Sequence, residues 1–424
     1  MSRGGRGSTR SCCILFAAAL ACGSGPAFAQ ALDLGADAGT ATGTGFPDNP
    51  VSDYVDQSSD GLIAIDPPGT SASSLTSVEV ETPDAQPVKA PKPAEWMLVP
   101  IPGYNPTLGF MLTGMGAYIF PADAKSPPST VGGFGMFSTN GSWVFGAMSK
   151  LNLAEDHYRV TAFLMVGHIN WDFYGIGNEA ADRGQFIPLS QGMIGGRLES
   201  LFRIAQGFYL GPRWTLMRMR VTADLSQAQI PPELVPPSNE LASWFSAPGL
   251  KFQWDTRDSQ FFPQHGQLME LTLDVHLKSL GDSFDYVAGK LAWNQYVGLT
   301  PRQVLAFREV VSLASTNAPF YALPRLGQGA DIRGFKAGEY QDHVLLAAQA
   351  EYRLQVLAWL GAAAFFGVGQ VQPDVGSLNF KDLLPAGGVG VRITVAKQNH
   401  VNARADVAFS KQGVSFYFAV GEAF

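Results

Sequence analysis

Apolar and polar residues alternate with period two along most of the chain after Trp96. Within 269–278 the odd-numbered positions are apolar and the even-numbered positions are polar or charged, and 217–222, 348–356 and 401–409 alternate in the same way. Period two places alternate side chains on opposite faces of a β-strand. These segments exceed the roughly 5–6 residues of a typical soluble strand. They suit tilted strands that cross a bilayer, which need about 9–11 residues.

The faces opposite the apolar ones carry charges of both signs, as expected of a water-filled lumen. The charged residues that we predict to line the inner wall are Arg218, Arg220, Asp274, Lys278 and Arg404. An open sheet in lipid would leave backbone groups unpaired along its edges, so the sheet must close on itself. The pattern therefore predicts an all-β fold and a closed transmembrane barrel.

Counting the alternating segments gives about sixteen strands. A short first strand at Trp96–Ile101 and ten longer strands precede a long loop around Asn317–Gln341. Five strands follow the loop, at roughly 343–357, 358–372, 384–397, 400–410 and 413–424. An even number is typical of antiparallel barrels built from a single bacterial chain.

The first 94 residues have a different texture. Residues 1–29 predict a signal peptide, with three arginines, a short apolar run and a small-x-small site at Ala27-Phe28-Ala29. A lipoprotein cut before Cys22 is the alternative. Residues 30–94 are polar and Pro-rich without an apolar period, which predicts a disordered periplasmic linker. The barrel would then occupy residues 95–424.

The amino-acid composition excludes several classes of function. Charged residues make up 15% of the chain, against roughly a quarter in soluble proteins, which fits a surface that meets lipid. The net charge of −7 and the lack of Lys/Arg clusters argue against a nucleic-acid partner. All three cysteines precede residue 30, and the six histidines lack ligand spacing. We find no catalytic motif, and expect neither an enzyme nor a bound cofactor or metal.

The last segment resembles a C-terminal assembly signal. Phe416, Phe418, Val420 and Phe424 share one parity, so they are predicted on the lipid-facing side of a final strand. Outer-membrane barrels present such a terminal aromatic residue to their assembly machinery. Glu422 departs from the pattern, because its parity calls for an apolar residue.

One motif resembles a known family. Asp255-Thr256-Arg257-Asp258, followed by Pro263 and Gly266, is similar to a signature of the bacterial surface antigen family. These proteins are the barrels of the BamA/TamA outer-membrane assembly superfamily. Three further pieces agree in order along Trp96–Phe424, namely 172–178 (DFYGIGN), 332–335 (IRGF) and 388–392 (GVGVR).

The resemblance implies that the long loop folds into the lumen, where Arg333 of Arg333-Gly334-Phe335 would pair with wall carboxylates. A guanidinium is always charged and offers five donors in a rigid fork. Glycine at 334 permits a turn that a side chain would block. The family often carries Phe-x-Asp-x-Gly on the wall, but this chain has Gly367 in place of the Asp. Glu351 and Asp406 have lumen-facing parity, so either is a candidate partner.

Two functions fit. The first is an assembly-related barrel in a Gram-negative outer membrane, using a weak seam between the first and last strands to handle protein or lipid clients. Its partners would be outer-membrane lipid, clients and, during biogenesis, the barrel assembly machinery. Family members that insert or secrete proteins carry periplasmic POTRA modules, and 30–94 is too polar and Pro-rich to be one. The second function is therefore a small passive channel or a structural surface barrel, and fold alone does not decide between them.

Overall fold

Sixteen antiparallel strands form one sheet, in which each strand is hydrogen-bonded to the next along the chain. The computed structural model describes residues 94–105, 107–223, 241–259, 261–327, 331–396 and 400–424. The predicted signal peptide and all but the last residue of the predicted linker lie outside the described residues. The predicted antiparallel barrel of about sixteen strands is confirmed.

The strands before the long loop are β1 Glu95–Asn105, β2 Gly109–Phe120, β3 Ser129–Ser138, β4 Trp143–Leu153, β5 Tyr158–Phe173, β6 Ile187–Ala205, β7 Phe208–Ala223, β8 Ala242–Asp255, β9 Gly266–His276, β10 Tyr286–Thr300 and β11 Gln303–Ala314. Those after it are β12 Val344–Leu357, β13 Leu360–Gln372, β14 Leu384–Ala396, β15 Val401–Ser410 and β16 Gly413–Val420. A five-residue helix, α1, spans Asn178–Asp182. The first strand is eleven residues long rather than the short Trp96–Ile101 segment predicted.

The barrel is nearly closed, with β1 beside β16. A methyl group added at Gly103 of β1 would lie 3.6 Å from the main-chain oxygen of Phe418 in β16. Among the described residues, the strand ladders run from β1 to β16 and none joins these two strands to each other. The seam is thus a place of close approach without a continuous set of paired strands.

The connections differ at the two ends of the barrel. Of the four two-residue turns between the described strands, those at 206–207, 301–302 and 358–359 lie at one end, together with the start of β1 and the end of β16, and the turn at 411–412 lies at the other. The longest connections, between β7 and β8 and between β11 and β12, leave and rejoin the sheet at the other end. Short turns face the periplasm in bacterial outer-membrane barrels and longer loops face outward, which orients this barrel. None of the described helices is long and apolar enough to cross a membrane.

The long loop folds into the lumen between β11 and β12. Leu326, Ile332 and Phe335 are fully buried there and pack in one cluster with wall residues such as Leu345. A second cluster joins Phe320 and Tyr321 of the loop to the aromatic residues of β5 and the methionines of β7. The lumen is therefore filled by side chains rather than empty over the length of the loop.

This filling overturns part of the predicted inner wall. Met217 and Met219 are buried on the inside of β7, whereas Arg218 and Arg220 are exposed on its outside. The apolar residues of the loop exclude water from this part of the lumen, so the apolar face of β7 points inward. Lys278 is also not on the wall; it lies exposed in a 3₁₀ turn after β9. Asp274 and Arg404 do face inward as predicted, with their side chains 8% and 13% exposed.

Candidate functional site

The tip of the lumen loop is pressed against strands β14 to β16. Gly334 has φ +117°, and a methyl group there would lie 3.0 Å from the Cβ of Ala386. Its N–H donates to the Tyr417 hydroxyl (2.8 Å), and its carbonyl oxygen accepts from the Ser410 hydroxyl (2.7 Å). The positive φ and the lack of space both favour glycine at this position.

Arg333 is completely enclosed and bonded through all three of its nitrogens. Nη2 donates to Glu351 Oε2 (2.5 Å), Nη1 to Asp406 Oδ2 (2.7 Å) and Nε to Gln349 Oε1 (3.2 Å). The guanidinium carbon lies 3.5 Å from the centre of the Phe365 ring, a cation–π contact. The structure thus brings Arg333 together with both of the candidate carboxylates.

Three further arginines of the wall share these carboxylates. Arg392 donates to Asp406 Oδ1 (2.5 Å) and to Glu422 Oε2 (2.8 Å), and Arg353 donates to Glu351 Oε1 (2.7 Å). The third is Arg404, whose Nη1 lies 3.2 Å from Asp406 Oδ2. We call the whole set the lumen lock; its members are Arg333, Glu351, Arg353, Arg392, Arg404, Asp406 and Glu422. Isolated charges would be very costly to bury, and here each one is paired.

The lock needs space that a glycine of β14 provides. A methyl group at Gly390 would lie 1.9 Å from Asp406 Oδ1 and 2.7 Å from Arg392 Nη1. Any side chain at this position would therefore separate Arg392 from Asp406.

The part of the loop that follows Arg333 is held by the end of β5 and by the connection between β5 and β6. The Lys336 ammonium donates to the Asp172 carboxylate and to the Tyr174 hydroxyl, the latter at 3.0 Å. The Gly177 N–H donates to the Gln341 carbonyl (2.9 Å). The 172–178 motif of the sequence thus meets the loop that carries Arg333.

The sequence profile of the Omp85 superfamily domain matches residues 189–424, which is more than half of the chain. The chain belongs to the Omp85 superfamily. The resemblance to BamA/TamA-type barrels is confirmed, and the match includes the whole lumen lock. No curated protein matches this chain in sequence.

Two solved structures are similar to this chain at low sequence identity. CdiB from Acinetobacter baumannii is 12% identical, with a TM-score of 0.51 over 78% of this chain and 60% of that chain. BamA from Haemophilus ducreyi lacking POTRA domains 1–3 is also 12% identical, with a TM-score of 0.49 over 77% of this chain and 70% of that chain. At this identity the CdiB match concerns the fold alone, and this chain spans 60% of the CdiB chain.

The Omp85-type motif Asp255–Gly266 forms the periplasmic turn between β8 and β9. Arg257 Nε donates to Asp255 Oδ1 (2.9 Å), and the Thr256 hydroxyl accepts from the Gln267 N–H (3.1 Å). Gly266 has φ +95° and would clash with the Thr256 carbonyl oxygen, 2.2 Å away, if it carried a methyl group. The two remaining members, Asp258 and Pro263, complete the turn; the Asp258 carboxylate accepts from the Gln264 N–H (3.0 Å).

The predicted C-terminal signal divides into two parts. Phe416 and Phe418 are exposed on the outside of β16, as the parity predicts, and the strand ends at Val420. Phe424 does not share this face; the prediction for it is wrong. Gly421, at φ +92°, ends the alternation, and the chain turns inward. Phe424 is buried, and its main-chain oxygen accepts from Arg353 Nη2 (2.7 Å).

The position where the family often carries an aspartate has a compensating neighbour. Gly367 faces inward and pairs across the sheet with Gln349, the residue that accepts from Arg333 Nε. The Gln349 amide oxygen thus binds the third nitrogen of Arg333 from the strand beside Gly367. This replacement fits the presence of Glu351 and Asp406 on the other two nitrogens.

The sequence reasoning missed Arg353, Arg392 and Glu422 as members of the site. Glu422 was visible as a break in parity, and that break marks the point where the chain leaves the outer face to pair with Arg392 and with the Asn402 amide (2.7 Å). Arg353 and Arg392 lay on lumen-facing parity. Arg392 ends the 388–392 motif, whereas no local feature distinguished Arg353 from a solvated wall charge.

Two loop carboxyls should make loop docking depend on pH. Burial raises the pKa of Asp331 and of Glu339 to about 6, from 3.8 and 4.5. Both acids are harder to ionise in the docked loop than in an undocked one. Their contribution to docking is therefore complete below about pH 4 and is lost as the pH rises through 6.

We expect amide hydrogen exchange in 332–335 to be slower at pH 5 than at pH 8, after correction for the intrinsic pH dependence of exchange. Asp331→Asn should weaken this difference, and the exposed Asp285→Asn should preserve it. Equal protection at both pH values in the unmodified protein would contradict the prediction.

Proposed function

We propose that this Omp85 barrel assists the insertion or transport of proteins or lipids at the outer membrane of a Gram-negative bacterium, with the lumen closed at rest. The observation that carries the proposal is the lumen lock, in which the loop residue Arg333 is buried among wall carboxylates. A passive pore needs an open path, whereas the ion pairs of Arg333 with Glu351 and Asp406 hold the loop inside the lumen.

The seam between β1 and β16 supports a role with clients. Strand edges that lack a continuous ladder present unpaired N–H and C=O groups, which can pair with an incoming strand. An unfolded outer-membrane protein contains many segments that can form such an incoming strand. The proposed partners are therefore outer-membrane lipid and barrel-forming clients, together with the barrel assembly machinery during the biogenesis of this chain.

A passive channel is the second candidate, because part of the wall is polar. On the inner wall of β6 to β9, Lys251 lies 3.2 Å from Glu199 and 2.9 Å from Glu270, and Arg213 lies 3.2 Å from Asp274. If the loop left the lumen, a channel lined by paired charges of both signs would conduct water and small ions.

Client folding in liposomes separates the two candidates. A urea-denatured eight-stranded outer-membrane barrel is added to liposomes that contain the refolded chain, and its folding is followed by heat-modifiable migration on gels. We expect faster folding than in liposomes with an equal amount of a closed sixteen-stranded porin. Equal folding rates, together with a large steady conductance of the unmodified chain, would favour the channel.

A further inference from the structure

The outside of β7 carries two arginines where the barrel faces the membrane. Arg218 and Arg220 are exposed, and among the described residues neither has an ion-pair partner. The guanidinium carbon of Arg218 lies 5.5 Å from the centre of the exposed Trp244 ring. A charged side chain on the lipid face is unfavourable near the middle of a bilayer and is tolerated near its boundary.

The depth of these arginines follows from the strand itself. At the periplasmic end of the same strands, the rings of Phe208 and Trp254 stack with centres 5.2 Å apart, as in an aromatic girdle. The outward residues from Phe208 to Leu216 are apolar and span roughly 26 Å of strand at about 3.3 Å per residue. A strand tilt of about 40° reduces this to roughly 20 Å, so the next outward residue, Arg218, lies roughly 25 Å above Phe208, which is about the height of an apolar band. Arg218 and Arg220 therefore lie at the outer boundary of the membrane.

An apolar groove begins directly below the arginines. It has a volume of about 1070 Å³ and runs over the outside of β4 to β8. Gly196 forms its floor between Leu164 and Leu216, which face it from the neighbouring strands. Ile194, Trp214 and these leucines are about half exposed or more along the groove. The groove has the shape and polarity to hold an acyl chain.

Polar groups and open space lie above the groove, at the level of the arginines. Gly192 is the cross-strand neighbour of Arg220 on one side and of His168 on the other. A methyl group at Gly192 would meet only the Arg220 carbonyl oxygen, at 4.0 Å. The Ser190 hydroxyl bonds to His168 Nε2 (2.8 Å) and to Asn170 Oδ1 (2.6 Å), which fixes a polar wall beside this space.

We propose that this outer face binds a phosphorylated, multiply acylated lipid of the outer leaflet. Its phosphate lies on Arg218 and Arg220, beside His168, and one acyl chain occupies the groove over Gly196. Guanidinium groups bind phosphate through short, charge-assisted hydrogen bonds, often in pairs. Because the basic patch and the groove are continuous, the site fits an anionic lipid rather than free phosphate. The inference depends on the membrane orientation of the barrel and not on the proposed role in assembly.

Native mass spectrometry of the refolded full chain in detergent tests the site with bisphosphorylated lipid A as the probe. The comparison lipids are the same lipid A without phosphates and its deacylated headgroup. The variant is Arg218→Gln/Arg220→Gln, and the matched control is Arg302→Gln, which removes an exposed arginine from the periplasmic turn between β10 and β11. These substitutions lie on the surface and outside the lumen lock.

We expect the double variant to bind lipid A at least about tenfold more weakly, since a hydrogen bond between charged groups typically changes an equilibrium by that factor or more. Removal of the phosphates should have the same effect, and Arg302→Gln should bind as the unmodified chain does. Unchanged binding by the double variant would overturn the proposal. Equal binding of the deacylated headgroup would overturn it too, by indicating a phosphate site without an acyl seat. Failure of the client-folding assay would leave this result unaffected.

Discussion

Arg333→Ala is expected to free the lumen loop and to convert a low, flickering conductance into a larger one. The substitution removes the donors to Glu351, Asp406 and Gln349 at once. The wall itself keeps its pairing, because Arg353, Arg392 and Arg404 still neutralise the same carboxylates. The effect should therefore fall on loop docking more than on the barrel.

Loss of one member of a buried ion pair typically costs about 3–5 kcal/mol. With the wall still paired, we expect the lower end of this range, which is still more than a hundredfold in the ratio of docked to undocked loop. Single-channel recordings in planar bilayers measure it, with protease sensitivity of the loop as a second readout. Arg302→Ala serves as the charge-matched control. If Arg333→Ala leaves both conductance and protease sensitivity unchanged, the loop is not held by this residue.

Glu351→Gln is expected to have the larger effect on the stability of the barrel. Glu351 lies within 3.4 Å of the guanidinium nitrogens of Arg333, Arg353 and Arg392, and its side chain is fully buried. A glutamine keeps the shape of the side chain but leaves three buried cations with less negative charge around them. We expect a loss of about 3–5 kcal/mol in the free energy of unfolding.

Urea unfolding of the refolded barrel in micelles, followed by tryptophan fluorescence, measures this loss. Glu309→Gln is the matched control. It makes the same chemical change on the outside of the barrel, where Glu309 accepts a hydrogen bond from the Gln295 amide (3.1 Å). A Glu351→Gln midpoint no lower than that of Glu309→Gln would mean that the lock does not stabilise the wall.

The strand positions were predictable because period two is a local property. Strands β12 to β15 lie within about two residues of the predicted segments, since each alternating run ends at turn residues. The first strand was predicted too short. It was predicted to end at Ile101, before Pro102, although Pro102 lies within β1 and faces outward.

The direction of each face was less predictable, because alternation does not say which side is the lumen. For β9, β12 and β15 the lumen is polar and the prediction is correct. For β7 the neighbouring lumen is filled by Phe320 and Tyr321 of the distant loop, so the apolar side faces inward. The sequence around Arg218 does not indicate contacts with a loop that is about a hundred residues away in the chain.

The lock shows the same limit. The loop turn at Arg333-Gly334 could be identified from a motif, and parity selected Glu351 and Asp406 as candidates. The inclusion of Glu422 depends on the chain turning inward at Gly421, one residue after β16. A rule based on strand parity fails as soon as the strand ends.

That inward turn ties the end of the chain to the loop. Arg353 binds both Glu351 and the main-chain oxygen of Phe424, while Arg392 bonds to Glu422 and to Asp406. The same two carboxylates, Glu351 and Asp406, hold Arg333. A pull on the last strand is thus transmitted to the loop tip, and release of the loop loosens the last strand by the same free energy. The seam between β1 and β16 and the lumen loop are therefore expected to open together.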